Sequence, residues 1–379
     1  MLLNYILWNG GPELLAAGPV TLRWYGLLFA AGFLISQQIL YYMFRKEGKP
    51  EKDVDSLTIY MVVATILGAR LGHVIFYQPE IIWNDPLSIF LPFEFSPTFR
   101  FTGLQGLASH GAAFGILFAL WLYARKKKPG QNYMQILDRI VILVALTGAL
   151  IRFGNFFNSE ILGKPTNGPL GIVFINPVTS ALAGDASDKS NKITQVLVQR
   201  DDEEPTGTNG RVPIKIFLYF KPGVTQADAA NYVRNTVKNT LYYFTANIDQ
   251  PLVDEPAANF IKFQTIFDEK TNQVLVRVKT FGLERHPAQL YESLSCVLLF
   301  LFLFSIWNKY KAQLPEGRIF GYFMVILWSL RFVYEFLKEN QVPFENNLPL
   351  NMGQILSIPL IIVGVLILIR SYRKTGSIV

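Results

Sequence analysis

Apolar residues run along this chain in blocks of about 20, separated by short polar stretches and, once, by a long one. A helix rises 1.5 Å per residue, so such a block reaches across a hydrocarbon core about 30 Å thick. Seven blocks are legible, at about 21–44, 57–77, 104–124, 136–157, 287–307, 317–337 and 350–370. They predict an α-helical polytopic membrane protein with about seven transmembrane helices. Residues 164–285 break the rhythm. VPIKIFLYF (212–220) and QVLVRVKTF (273–281) are short, β-branched and aromatic, as strands are. TQADAANYVRNTVKNTLYYF (225–244) between them reads as a helix with Thr225 as its N-cap. The expected organisation is a membrane domain over 1–163 (spans 1–4), a mixed α/β external insertion over 164–285, and a second membrane stretch over 286–379 (spans 5–7).

Charge placement orients these spans. Arg45, Lys46, Lys49 and Lys52 follow the first, and Arg125, Lys126, Lys127 and Lys128 follow the third. Lys309, Lys311 and Arg318 follow the fifth, and Arg370, Arg373 and Lys374 follow the seventh. The alternate loops carry little more than Arg23, Arg100 and Lys338. By the positive-inside rule the N-terminus is outside and the C-terminus cytoplasmic. The insertion, which holds 13 of the 28 acidic residues, then lies outside. No cleavable signal peptide is expected, because the first 20 residues lack Lys and Arg and the first apolar run is too long.

Composition agrees. Of 379 residues, 51% are hydrophobic and 17% charged, with a mean hydropathy of +0.27. The net charge of +7 sits in the topology-setting clusters, so no nucleic-acid partner is expected. The single cysteine, Cys296, lies deep in SLSCVLLFLFLF and excludes an internal disulfide. HExxH, CxxC, GxSxG and Walker patterns are all absent, and three dispersed histidines make no evident metal site. Neither a metal nor a cofactor is expected.

The rise per residue turns topology into depth. Arg152 lies about 24 Å from the cytoplasmic start of its span, Arg70 about 20 Å and Arg331 about 21 Å. His110 and Glu292, on spans running the other way, lie about 9 Å and 8 Å from their outer ends. Tyr25 is near the outer end of the first span, and His73 and His286 share this level. Ionisable groups within a bilayer are costly and mark function. Here they converge on the outer half of the membrane. His110 sits in GLQGLASHGAAFG, whose small residues permit close helix approach. Arg331 and Glu335 are four apart and can share a helix face. Guanidinium groups bind phosphate bidentately, and the phosphate at this depth is that of a phospholipid. Asn155 and Asn158 offer neutral partners for glycerol hydroxyls. On these residues alone, a lipid-headgroup enzyme and an anion transporter both remain. The one-sided gathering of charge and the lack of an inverted repeat favour the enzyme. An intramembrane protease lacks a nucleophile–base or paired-aspartate signature.

Six stretches resemble those of the prolipoprotein diacylglyceryl transferases: RWYGLLFAAG (23–32), GARLGHVIFY (68–77), SHGAAFG (109–115), LIRFGNFFNSEILG (150–163), HPAQLYE (286–292) and LRFVYEFLKEN (330–340). They occur in that family's order. The resemblance implies transfer of diacylglyceryl from phosphatidylglycerol to the lipobox cysteine of a preprolipoprotein signal peptide. The product is a thioether, and glycerol phosphate leaves. It also implies the bacterial cytoplasmic (inner) membrane, with the site toward the outer leaflet and membrane lipids around it. The functional positions it carries over are Tyr25, His110, Arg152, Asn155, Glu160, Gly163, Arg331 and Glu335. Under it, Arg152 and Arg331 bind and stabilise the phosphate, with Glu335 orienting Arg331, and His110 is the base for the thiol. Asn155 and Asn158 position the glycerol, and Tyr25 orients a substrate. Arg70, His286, Tyr291 and Glu292 are supporting residues. Three features depart from the family pattern: HGAAFG where a pair of glycines is usual after the histidine, His73 in place of a tyrosine, and a longer external insertion.

Overall fold

The computed structural model describes residues 5–17, 20–89, 93–94, 100–101, 108–184, 190–204, 207, 209–244, 248–249, 262–269, 271–338 and 348–376. Among the described residues, six helices are long and apolar enough to cross a membrane. They are Trp24–Lys46, Lys52–Tyr77, Tyr133–Phe157, Ala288–Gln313, Arg318–Leu337 and Met352–Arg373, the fourth and fifth closing in 3-10 turns. The block expected over 104–124 forms a helix only over Ser109–Ala124, 16 residues, and residues 102–107 of that expectation lie outside the described residues. The chain is thus a polytopic helical membrane protein that also carries a β-sheet region. It divides into two compact units.

The first unit comprises Met1–Leu27, Arg152–Ser293 and Val333–Asn351. Its sheet has seven strands among the described residues, with a spatial order Ile6–Trp8, Ile172–Phe174, Gln273–Arg285, Arg211–Phe220, Ile193–Arg200; Lys262–Asp268 and Ile248–Asp249 also pair with the long Gln273–Arg285 strand. The two strands expected from sequence are direct antiparallel neighbours, Val276 facing Leu218 and Val278 facing Ile216. Side chains alternate across a strand. Val212, Ile214, Ile216, Leu218 and Phe220 accordingly share one face and are buried. Against them pack Ala229, Val233, Val237 and Leu241 from the expected helix. Thr225 caps that helix, its hydroxyl oxygen accepting from the Asp228 N–H at 3.1 Å. The helix is not uniform: a π-helical turn over Val233–Val237 separates Gln226–Tyr232 from Lys238–Tyr243. The reason is the spacing. A stripe repeating every four residues drifts about 40° per step on a 3.6-residue helix. The wider π turn returns it to the sheet.

The second unit comprises Leu28–Ile151, Leu294–Phe332 and Met352–Val379. Its tightest packing joins Lys52–Tyr77 to Ser109–Ala124. A β-carbon at Gly68 would lie 2.5 Å from the Gly111 carbonyl oxygen, one at Gly72 2.6 Å from Gly111 Cα, and one at Gly115 2.6 Å from the Ala64 oxygen. Two G-x-x-x-G faces therefore meet backbone to backbone, as small residues allow in lipid. At the helix ends rich in Lys and Arg, polar contacts fix the bundle. Asp138, fully buried, accepts from the N–H groups of Gly317 at 2.7 Å and Phe320 at 2.8 Å and so caps the Arg318–Tyr334 helix. Glu47 takes Arg139 at 3.0 Å, Lys49 at 2.6 Å and the Trp307 indole N–H at 2.6 Å.

Candidate active site

The first unit gathers most of the residues singled out in the sequence. The Tyr133–Phe157 helix ends just after Arg152 and Asn155, and the chain then turns sharply. Ser159 and Ile161 both take the left-handed conformation, with φ of 54° and 57°. A β-branched residue pays a steric cost there, and strain of this kind gathers at functional sites. Between the two stands Glu160. Its carboxylate accepts from the Asn155 amide at 3.1 Å and the Asn158 amide at 3.3 Å. The Gln289 amide donates to the Glu160 carbonyl. Each asparagine thus gives an amide N–H to Glu160. Their side-chain oxygens, with Gln289 Oε1, are buried without a partner among the described residues. Each of these oxygens can accept from a hydroxyl.

Arg152 Nε lies 2.6 Å from Glu292 Oε2, which engages one edge of the guanidinium; among the described residues no ion pair takes the Nη1–Nη2 edge, a fork of the shape that suits an oxyanion. Glu292 is shared: its other oxygen contacts Lys338 Nζ, which also lies 3.5 Å from Glu335. Asn351 donates to Glu335 at 3.3 Å. Lys338 was read as a loop charge on the sequence. It is instead 5% exposed and enclosed by two carboxylates. Gln289, 1% exposed, was also missed. For Lys338 the available signal was its spacing three residues after Glu335; for Gln289, its place in HPAQLYE.

Gly163 explains how these segments meet. Its N–H donates to the His286 carbonyl at 3.1 Å, and Arg285 Nη1 donates to the Gly163 carbonyl at 2.9 Å. The Lys164 N–H donates to the Leu337 carbonyl at 2.7 Å, and a β-bridge pairs Gly163 with Lys338. A β-carbon at Gly163 would lie 2.5 Å from the His286 oxygen and 3.1 Å from that of Leu337. Only a residue without a side chain lets the three segments close. Tyr25 packs on the same helix through another glycine: a β-carbon at Gly154 would lie 3.0 Å from Tyr25 Cα. It is within electrostatic reach of Glu160 and Arg152. His286 Nδ1 and the Tyr291 hydroxyl are 3.4 Å apart, and the Tyr334 hydroxyl donates to the Tyr291 carbonyl at 3.4 Å. Trp8 on Phe156, at 4.4 Å, and Trp24 on Phe157, at 4.8 Å, brace the helix end from behind.

His110, Arg70, His73 and Arg331 belong to the second unit. His110 opens the Ser109–Ala124 helix and packs edge-on to Phe76, with ring centroids 5.0 Å apart, and near Tyr77 at 6.1 Å. His73 stacks on Tyr77 at 5.3 Å, its Nε2 3.2 Å from Gln78 Oε1. Arg70 is buried and donates through Nη2 to the Ser88 carbonyl at 2.9 Å, tying the Pro86–Ile89 turn to its helix. Arg331 lies over the Trp328 ring at 5.6 Å. The sequence put Arg331 and Glu335 on one α-helix. The α-helix stops at Tyr334, and Glu335–Leu337 form a 3-10 turn. Among the described residues no cluster of three or more His, Cys, Asp or Glu side chains suits a metal ion.

Comparison with known proteins places this geometry in context. The profile of the prolipoprotein diacylglyceryl transferases matches residues 12–370. A phosphatidylglycerol–prolipoprotein diacylglyceryl transferase of Bacteroides fragilis is 31% identical over 366 residues, covering 96% of this chain and 94% of that protein. Proteins of the same name from Chloroherpeton thalassium and Tolumonas auensis are 29% and 27% identical, covering 98% and 97% of this chain and 96% and 98% of their own.

Proposed function

The chain belongs to the prolipoprotein diacylglyceryl transferase family, and from that membership we propose how its residues carry out the reaction. The activity is transfer of the diacylglyceryl group of phosphatidylglycerol to a prolipoprotein, a step of lipoprotein maturation. The acceptor is the cysteine thiol of the lipobox in the signal peptide. The thiol proton passes to a base and the thiolate attacks the glyceryl carbon that bears the phosphate ester. A carbon–sulfur bond forms, the carbon–oxygen bond breaks, and glycerol phosphate leaves with the bonding pair on its oxygen.

Negative charge grows on the phosphate as it departs, so catalysis calls for cations fixed beforehand around it. Arg152, clamped by Glu292, is the chief of these, and Arg331 is the second. The free oxygens of Asn155 and Asn158 accept from the headgroup glycerol hydroxyls. His110 is the base, and Tyr25 orients a substrate. The reaction needs no metal and no cofactor. The membrane is the bacterial cytoplasmic one, with seven spans, the N-terminus outside and the site in the outer leaflet. Ser109–Ala124, about 24 Å long, is the third span. Residues 164–285 form an external insertion between two membrane stretches.

The observation that carries this reading is the guanidinium of Arg152 held along one edge by a carboxylate, beside buried acceptors with no donor among the described residues. The test is Arg152→Lys in purified protein, with phosphatidylglycerol and a lipobox peptide. A point ammonium cannot replace the fork, so the rate is expected to fall at least about a hundredfold while the protein stays folded. A rate near wild type would remove Arg152 from phosphate recognition.

A further inference from the structure

Lys338 is among the most enclosed charges in this site, and neither the family motifs nor the reaction gives it a task. At 5% exposure its ammonium has lost most of its water, which is costly unless carboxylates replace that water. Two do: Glu292 in direct contact and Glu335 at 3.5 Å. Its backbone is not free to swing, because residue 338 bridges Gly163 and the preceding carbonyl accepts from Lys164 at 2.7 Å.

The order of charges is the telling feature. Arg152, Glu292, Lys338 and Glu335 alternate in sign along one chain of contacts. With Glu292 as its private partner, Arg152 would be neutralised, and a phosphodiester anion would meet a pair of zero net charge. The four charges sum to zero, but the balancing carboxylate, Glu335, joins at Lys338 and not at Arg152, so the guanidinium faces a carboxylate whose field is partly offset by a second cation and keeps more of its own for a phosphodiester. Glu335 stands at the far end, its second oxygen taken by Asn351. Sharing also fixes Glu292 from both sides, so the carboxylate cannot rotate and take the guanidinium with it.

We propose that Lys338 is a positioning residue for phosphate capture, acting through Glu292 to keep Arg152 correctly aimed and incompletely neutralised. The inference rests on the transferase reading and deepens it. A residue that merely ties two segments together would affect stability without discriminating between anionic and zwitterionic lipid.

The experiment compares wild type, Lys338→Met, Lys338→Arg, Glu292→Gln and the double variant Lys338→Met/Glu292→Gln. Each is assayed for KM and kcat with phosphatidylglycerol, and for binding of phosphatidylglycerol against phosphatidylcholine in detergent. Lys338→Met is expected to raise KM for phosphatidylglycerol, and weaken its binding, about tenfold or more, with a smaller change in kcat. Phosphatidylcholine binding stays put, and Lys338→Arg restores the wild-type value. In the Glu292→Gln background, adding Lys338→Met changes KM no further, because the carboxylate through which it acts is gone. That comparison decides the matter even where Lys338→Met alone folds poorly. An unchanged KM and lipid affinity in Lys338→Met, failure of arginine to restore them, or an equal further loss in the Glu292→Gln background would overturn the proposal. Should wild type bind the lipid and form no thioether, the transferase reading fails, while the binding arm still decides the role of Lys338.

Discussion

Replacing Gly163 by alanine tests whether the site depends on the crossing of three chain segments. The added methyl would sit 2.5 Å from the His286 carbonyl oxygen, 2.7 Å from His286 Cβ and 3.1 Å from the Leu337 oxygen. Two of these atoms are backbone, so no rotamer change relieves the clash. The segments must part by about 0.5–1 Å, an overpacking strain of about 1–3 kcal/mol. That displacement acts where Gly163 and Lys164 bond to His286 and Leu337. It therefore shifts Glu292, six residues beyond His286, and Lys338, next to Leu337, relative to Arg152. A misplacement of about 1 Å at a reacting centre is worth about a hundredfold in rate. Thioether formation by purified Gly163→Ala, measured by mass spectrometry beside its thermal unfolding in detergent, should show a loss of that order with a modest fall in melting temperature. Wild-type turnover and melting together would refute the reasoning, because the crossing would then tolerate a β-carbon without disturbing the charges.

Three further outcomes are expected. Gly68→Val should separate the Lys52–Tyr77 and Ser109–Ala124 helices, whose backbones touch at Gly68 and Gly111, and lower stability by about 1–3 kcal/mol in a detergent melt; an unchanged melt would contradict the packing. His110→Gln should bind phosphatidylglycerol as wild type does and fail to alkylate the peptide thiol; normal turnover would make His110 a packing residue against Phe76. Burial beside Gly171 pushes the Glu284 carboxyl up to about 7, so its neutral form is the one the fold favours. Its contribution is therefore present below about pH 4.5 and is lost as pH rises through 7, about 3 kcal/mol in full. Glu284→Gln should flatten that dependence and melt above wild type at pH 8, and identical pH–melting curves for the two proteins would show that the carboxyl is solvated.

Much of this was legible in the residues because the physics was local. A run of apolar side chains of bilayer length is a helix wherever it sits, and six of the predicted spans are helices of that kind. Alternation in VPIKIFLYF gave its strand, and Thr225 its cap. Arg152 and Glu292, which the rise per residue puts at one level of the membrane, are partners. What escaped depends on contacts between residues far apart in the chain. No local pattern shows that Lys338 turns inward to Glu292, or that Gly163 is needed because His286 lies against it. The π turn at Val233–Val237 was hidden for a related reason. A four-residue stripe reads as helical on sequence, and only the flat face of the sheet forces the extra winding. Nor did spacing alone reveal that the α-helix of Arg331 tightens into a 3-10 turn at Glu335.

The most direct measurement of the central claim follows atoms from donor to acceptor. Phosphatidylglycerol labelled separately in its diacylglyceryl and headgroup glycerol parts is incubated with the purified protein and a lipobox peptide, and the products are weighed. The account predicts the diacylglyceryl label on the peptide cysteine as a thioether, and the headgroup label in glycerol phosphate, in equal amounts. Headgroup label on the peptide, free phosphatidic acid in place of glycerol phosphate, or an unmodified thiol beside intact lipid would contradict it.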